Sequence, residues 1–162
     1  MNSTGLTFQA ANPQYEERIR RKLERQYFMQ HLGISLSSIE PGRVEARVSL
    51  EKHHQQQDGF IHGGLTATLA DVSTGFAAFS LARADQRVVT AELNISFFKP
   101  GKGTSVLARG WVVKPGSRLY FCESEVWCVD ATGTFTLMAK AHAIMAAFVP
   151  SEKALNENGQ PS

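Results

Sequence analysis

The feature that most constrains this fold is one long apolar segment, LTATLADVSTGFAAFSLARA, at residues 65–84. Its large apolar side chains recur at the spacing of one helical face, which predicts an α-helix. That stripe consists of Leu65, Leu69, Val72, Phe76 and Phe79. Four residues interrupt the apolar run, namely Asp71, Ser73, Thr74 and Gly75. Because a membrane span needs about 20 mostly apolar residues, we expect a buried helix whose apolar face is covered by a second layer, and no membrane span.

Strand-like sequence on both sides of this helix can supply the second layer. Before it, residues 34–40 and 43–50 flank a Pro-Gly turn and are typical of a β-hairpin. Four more strand-like segments follow, and the first alternates Val89, Ala91, Leu93, Ile95 and Phe97 with Thr90, Glu92, Asn94 and Ser96. Short strands joined by tight turns favour an antiparallel sheet. The predicted fold class is therefore α+β, with a curved antiparallel sheet wrapped around a long central helix.

The ends of the chain add an N-terminal helix but no second domain. From Pro13 to about Leu32 an apolar residue recurs every four positions, which predicts an extra helix. Its stripe is Tyr15, Ile19, Leu23 and Tyr27. The polar residues 1–12 are expected to form a flexible arm and residues 150–162 a disordered tail. One domain at residues 13–149 remains.

Charge and cysteine usage narrow the class of protein. Seventeen basic and fifteen acidic side chains leave a formal charge of +2, too even for a duplex nucleic-acid binder but compatible with a local phosphate-binding patch. No basic region leads into an apolar stretch at the N-terminus, so we expect no secretory signal. Cys122 and Cys128 are six apart in one strand, roughly 20 Å, too far for a disulfide. Free thiols fit a reducing compartment, and we expect a cytoplasmic location.

The segment QQQDGFIHGGLTATLAD contains the candidate site. His62, Gly63 and Gly64 lie where a loop enters the helix, and backbone N–H groups there have no intrahelical partner. Together with the helix dipole, such donors suit a developing oxyanion, and glycine at 63 allows a close approach. For these three residues taken alone, a simple loop-to-helix turn is the better explanation.

Asp71 makes a catalytic interpretation stronger. Its neighbours on one helical face are all small, namely Gly64, Ala67, Thr68, Gly75 and Ala78. A carboxylate in an apolar helix is costly to bury, and small neighbours leave room for a substrate or a second helix. The alternative is a capping or structural carboxylate.

The residues from Gln56 to Gly75, followed by VVTAELNISFFKPGKG and a K-P-G hairpin, resemble the PaaI-like branch of the hotdog-fold acyl-CoA thioesterases. That branch includes 4-hydroxybenzoyl-CoA thioesterases and animal thioesterase-superfamily enzymes. The resemblance covers about residues 30–149 and rests on H-G-G, an acidic residue nine positions after the histidine, and the F-x-K-P strand. It implies a hotdog fold, an acyl-CoA substrate hydrolysed to free acid and CoA, and no cofactor.

The resemblance also implies roles for individual residues. Asp71 corresponds to the nucleophile or general base, and Gly63 to the N–H donor for the thioester carbonyl. His62 corresponds to a hydrogen-bonding partner near the thioester. Thr90, on the following strand, corresponds to a residue that orients the water, although its high β-propensity alone would also explain it. Gln56 corresponds to a residue that holds substrate or water, with the neighbouring glutamines as alternatives in register.

The chemistry fits a carboxylate hydrolase better than other types. A thioester has a good leaving group, so a carboxylate suffices to attack it or to activate water. No serine lies in a G-x-S-x-G context and no cysteine in a recognisable catalytic motif. The spacing of His53, His54 and His62 fits no common metal-ligand pattern, so no metal is expected. A covalent anhydride and a general-base route both remain open.

Substrate contacts are less defined. Phe60 and Gly64 are candidates for substrate binding, and Phe60, Phe76, Phe79 and Phe97 either line an acyl tunnel or belong to the core. Basic residues at or beside turns are candidates for contacts with the CoA phosphates, namely Lys99, Lys114 and Arg118. The acyl group, aromatic or aliphatic, stays open.

Two other functions compete with hydrolysis. Hotdog enoyl-thioester hydratases pair an aspartate with a histidine further along the helix, whereas here no histidine follows Asp71 before His142. A non-catalytic module that binds acyl-CoA is the second alternative, and the presence of Asp71 argues against it.

Helix geometry predicts the assembly. Gly63 and Asp71 are eight residues apart, about 12 Å along a helix axis and about 80° around it. One thioester carbonyl cannot easily meet both groups of the same helix. If both act, they come from two chains whose central helices run antiparallel across a two-fold axis, as an obligate homodimer or a dimer of dimers. Small residues would permit that approach, namely Gly64, Ala67, Gly75 and Ala78.

Overall fold

The computed structural model describes residues 7–151, so part of the expected arm and nearly all of the expected tail lie outside the described residues. The helices are α1 (Tyr15–Leu23), α2 (Tyr27–His31) and α3 (Gly63–Leu81). The strands are β1 (Ser35–Glu40), β2 (Arg43–Ser49), β3 (Arg87–Phe97), β4 (Ser105–Lys114), β5 (Leu119–Val129) and β6 (Phe135–Phe148). They form one antiparallel sheet in the order β1-β2-β4-β5-β6-β3, and α3 contacts every strand. The predicted fold class is confirmed.

Helix α3 lies directly on the sheet where Gly110 of β4 faces Ser73. A Cβ on Gly110 would come within 2.3 Å of the Ser73 carbonyl carbon, so only glycine permits this approach. Ser73 Oγ is hydrogen-bonded at 3.0 Å to Oγ of Ser124, the β5 residue paired with Gly110. Asp71 precedes Ser73 by two residues, about 200° around the helix, so this contact turns Asp71 away from the sheet centre.

Strand β3 lies at one edge of the sheet, where among residues 7–151 it pairs with β6 alone, and a β-bulge interrupts it at Ala91. Thr90 pairs with the buried Met145, whereas Glu92 pairs with the next residue back, Ile144. The extra residue reverses the inward–outward alternation, because directly paired residues share a face. The strict alternation of the sequence pattern, with Thr90 and Glu92 on one face, is therefore wrong at this point, and Thr90 faces α3.

The single N-terminal helix expected at residues 13–32 is instead two helices separated by a turn. The N–H groups of Arg25 and Gln26 donate to carbonyls only three residues back, which tightens and ends α1. The change of direction buries Met29 of α2 in the core. Tyr27 leaves the predicted apolar stripe and is 74% exposed, whereas Ile19 is fully buried as expected.

The two cysteines are buried free thiols within β5, as the sequence predicted. Burial raises the pKa of the Cys122 thiol to about 12, so it stays protonated and unreactive near neutral pH. No helix among residues 7–151 combines the length and the apolar character needed to cross a bilayer.

Candidate active site

The structure brings two of the candidate residues, Asp71 of α3 and Thr90 of β3, into direct contact. Thr90 Oγ1 donates a hydrogen bond of 2.6 Å to Asp71 Oδ1. The main-chain oxygen of Asp71 accepts a hydrogen bond from Thr74 Oγ1, one turn further along the helix. Within residues 7–151, no group donates to the second carboxylate oxygen, Oδ2. Asp71 is half-buried, so this oxygen is available to a substrate or water.

An apolar cleft of about 460 Å³ extends from Asp71 along α3. Its floor is α3 from Ala67 to Phe79, and its walls come from β3 and from α1 and α2. The wall residues are Lys22, Gln26, Phe28, Met29, Val88, Val89, Thr90, Leu93 and Met145. A Cβ placed on Gly75 would have no neighbour within 4 Å, so this glycine keeps the middle of the cleft open. Phe76 and Phe79 border this cleft and also belong to the buried core, whereas Phe60 and Phe97 do not line it.

His62 caps helix α3. Its Nδ1 accepts a 2.9 Å hydrogen bond from the Gly64 N–H, one of the donors that a helix start leaves unpaired. A Cβ on Gly64 would come within 2.9 Å of His62 Nδ1, so glycine makes room for the cap. The imidazole therefore has a structural role in this chain. The contact of His62 with the thioester, which the resemblance implies, stays a prediction.

Gly63 is the first residue of α3. Within the described range, its N–H has no acceptor in this chain. A Cβ at this position would make only ordinary contact with Phe97, at 3.6 Å, and the backbone needs no left-handed conformation. Neither backbone strain nor crowding therefore requires glycine at position 63. A ligand that approached the N–H group closely would require it.

Gly63 and Asp71 line two separate cavities of one chain. The Gly63 cavity has a volume of about 250 Å³ and lies at the start of α3, against Phe97, Phe98 and Lys99. Asp71 does not line it, and Gly63 does not line the larger cleft. The structure thus agrees with the helix geometry in separating the two groups within a single chain.

Gln56 is engaged in its own turn. Its Oε1 accepts the Asp58 N–H at 3.0 Å, and its N–H donates to the Phe60 carbonyl. Gly59 completes this turn with φ +76°. The Phe60 ring lies under Lys102 Nζ, 4.4 Å from the ring centroid. Neither Gln56 nor Phe60 contacts Asp71 in this chain.

The three basic candidates lie at opposite ends of the molecule. Lys99 borders the Gly63 cavity, whereas Lys114 is the last residue of β4 and Arg118 lies in the turn between β4 and β5. That turn is held by Gln86, just beyond the C-terminal end of α3, through a hydrogen bond to the Ser117 carbonyl. One chain therefore does not bring Lys114 and Arg118 together with Lys99.

Three features of the site region escaped the sequence pattern. His54 is buried and structural, with Nε2 against the Leu32 carbonyl at 3.0 Å and Nδ1 accepting the Glu51 N–H. Among residues 7–151, no group of three or more His, Cys, Asp or Glu side chains could hold a metal ion.

Lys22 and Phe28 line the cleft, but no local sequence signal relates the N-terminal helices to Asp71. Ala78, expected on the open face of α3, is fully buried.

Comparison with known proteins gives one family. The thioesterase superfamily model matches residues 58–134. Human acyl-coenzyme A thioesterase 13 is 34% identical over 94 residues, which are 57% of this chain and 66% of that protein. The match thus spans just under two thirds of the length of that curated relative.

Solved structures of other proteins are similar to this chain. A thioesterase family protein from Silicibacter pomeroyi superposes with a TM-score of 0.81 at 32% identity, covering 84% of this chain and 99% of that one. The PaaI protein of E. coli, from the phenylacetic acid degradation operon, superposes with a TM-score of 0.75 over 88% of this chain and 99% of that one. At 17% identity, this second likeness shows the fold alone.

Proposed function

Since the chain belongs to the thioesterase superfamily, we propose that it hydrolyses an acyl-CoA thioester to the free acid and coenzyme A. The observation that carries this proposal is the Asp71 carboxylate, which is oriented by Thr90 and lines an apolar cleft. The cleft suits an acyl chain, and the carboxylate suits attack on a carbonyl beside it. Two buried free thiols fit a reducing compartment, and a cytoplasmic location is part of the proposal.

Asp71 has the geometry of a general base or a nucleophile. Thr90 occupies Oδ1, which leaves Oδ2 for the reaction. As a base, Oδ2 takes a proton from water while the water oxygen attacks the thioester carbon, and the C–S bond then breaks as the thiolate takes up that proton. As a nucleophile, Oδ2 attacks the same carbon, the C–S bond breaks and CoA leaves as the thiolate, which gives an anhydride between Asp71 and the acyl group. Water then hydrolyses the anhydride to the free acid and the Asp71 carboxylate, and the thiolate takes up the proton that is released. Rapid quenching under single-turnover conditions, followed by mass spectrometry of the Asp71 peptide, separates the two routes, because only the nucleophilic route acylates Asp71.

The negative charge that develops on the carbonyl oxygen needs a donor, and we assign the Gly63 N–H of a second chain. Strand β3 is 11 residues long and has a free edge, and such edges pair readily with other strands. Val89 and Phe97 of this strand are 51% and 55% exposed. Pairing of β3 with its copy across a two-fold axis would continue the sheet and set the two α3 helices antiparallel. Gly63 of the partner subunit would then approach Asp71.

The geometry disfavours the hydratase alternative. His142, the first histidine after Asp71, lies on β6 opposite Asn94 and beside Glu123, with His142 Nδ1 3.6 Å from Glu123 Oε1. It is exposed and does not line the Asp71 cleft. Within residues 7–151 of a single chain, no histidine therefore lies beside Asp71 for acid–base work on an enoyl thioester.

Release of free thiol from a panel of acyl-CoAs tests the proposed activity. A chromogenic thiol reagent can be used directly, because both cysteines of the chain are buried. We expect thiol release at a rate proportional to protein concentration. Tight acyl-CoA binding without thiol release would instead favour the non-catalytic module.

A further inference from the structure

The end of the cleft remote from Asp71 contains a cation. Lys22 of α1 lines the cleft there, and its Nζ lies 5.1 Å from the centroid of the Phe79 ring. The Arg18 guanidinium lies against the same ring, 4.1 Å from its centroid. The rest of this end is mainly apolar, formed by Phe76, Phe79 and Val88.

Lys22 lacks a counter-charge. It forms no ion pair with any residue of the described range, and the charges that act on it belong to Arg87, Arg18 and Arg25. Burial, with these cations, lowers the pKa of the Lys22 ammonium. Arg18 differs, because its guanidinium already donates to the carbonyls of Arg83 and Gln86. A half-buried ammonium among like charges gains most from an incoming anion.

We infer that Lys22 binds a carboxylate at the far end of the acyl chain, so that the preferred substrates are mono-CoA thioesters of dicarboxylic acids. This inference rests on the proposed function, since it places the thioester at Asp71. The apolar cleft contacts the methylene chain, and Lys22 pairs with the terminal anion. Monocarboxylic chains would leave the ammonium unpaired against a methyl group.

The length of the cleft sets the length of the chain. Asp71 and Phe79, the ring beneath Lys22, are eight residues apart on α3, about 12 Å along the axis. Contacts at the reacting end take up about 3 Å of this. An extended chain advances about 1.2 Å per bond, since three backbone bonds span about 3.3–3.6 Å. With a contact of similar length at Lys22, the remaining distance of about 6–9 Å fits a chain of about six to eight carbon atoms.

The test compares two thioesters on the full chain: the mono-CoA thioester of the eight-carbon dicarboxylic acid and octanoyl-CoA. We expect kcat/KM to favour the dicarboxylic thioester by at least about 10-fold, as for a charge-assisted contact of modest strength. Lys22→Met should abolish this preference, and Lys22→Arg should keep most of it. Arg21→Met is the matched control, because Arg21 is the neighbouring cation on the exposed face of α1, paired with Glu17.

Binding measurements test this inference independently of the proposed activity, because they require no hydrolysis. Non-hydrolysable thioether analogues of the same two compounds, titrated by calorimetry, should show the same preference and the same loss in Lys22→Met. Equal affinity for both analogues, or a preference that survives Lys22→Met, overturns the inference. Absence of hydrolysis with every thioester, despite selective binding of the analogues, overturns only the proposed activity.

Discussion

Thr90 Oγ1 donates a 2.6 Å hydrogen bond to Asp71 Oδ1, and this contact joins the edge strand β3 to the central helix. Two independent structural features bring Thr90 and Asp71 into contact. Packing of Ser73 on Gly110 fixes the rotation of the helix, and the bulge at Ala91 turns Thr90 toward it. The carboxylate is thereby held in one orientation with Oδ2 exposed to the cleft.

Removing the hydroxyl of Thr90 should impair catalysis without unfolding the chain. Thr90→Val loses a hydrogen bond to a charged group, worth about 1.5–3 kcal/mol, so kcat should fall by about 10-fold or more. Thr90→Ser keeps the donor and should retain most of the activity. Steady-state kinetics beside thermal melts measure both effects. Equal kcat in the Val and Ser variants would show that Thr90 only fills the strand.

The His62 cap should contribute to stability. His62→Ala leaves the Gly64 N–H without its acceptor, and we expect a loss of about 1 kcal/mol in the free energy of unfolding. Gly64→Ala should cost a similar amount, because the added Cβ would displace the imidazole. The double variant should lose little more than either single one, since both remove the same contact. Full additivity in urea titrations would argue against the cap.

Two substitutions at Gly75 test the stability of helix α3 and the volume of the cleft separately. Gly75→Ala should raise the free energy of unfolding by about 0.5–1 kcal/mol, because glycine is a poor helix former and the added Cβ meets no neighbour within 4 Å. Gly75→Leu should fill the cleft and lower kcat/KM for long acyl chains more than for short ones. An unchanged chain-length profile in the Leu variant would mean that the acyl group lies elsewhere.

Gly63 should tolerate a side chain structurally but not catalytically. The contact of an added Cβ with Phe97, at 3.6 Å, predicts a folded Gly63→Ala chain with a near-normal melting temperature. Bulk beside the donor should still hinder the carbonyl, most strongly in Gly63→Val, with a loss of about 2–4 kcal/mol of transition-state stabilisation. Unchanged kcat/KM in a folded Val variant would reduce Gly63 to a turn residue.

The sequence predicted those parts of the molecule that depend on local pattern. The helical period of residues 65–84 and the turns between strands predicted α3 and the antiparallel sheet. Asp71 stood out because it is a carboxylate on the small-residue face of an apolar helix. The separation of Gly63 from Asp71 followed from helix geometry alone, and the two cavities agree with it.

Features that depend on tertiary contact were not predictable in this way. The orientation of Thr90 depends on a bulge, and nothing in the alternation of β3 marks Ala91 as the extra residue. The break between α1 and α2 follows from the burial of Met29 rather than from propensity. Lys22 reaches the cleft only because α1 packs on α3, so its sequence context resembles that of any cation on a solvated helix.

A purified hybrid dimer tests most directly the claim that Asp71 of one chain acts with Gly63 of the other. Asp71→Asn and Gly63→Val chains, each nearly inactive alone, can be co-expressed with different affinity tags and isolated by two successive affinity steps. Such a hybrid has one site with both groups intact and one site with neither. The account predicts about half of the wild-type kcat per dimer, as two-fold symmetry requires. A stable hybrid no more active than its parents, or a fully active wild-type monomer, would contradict the shared site.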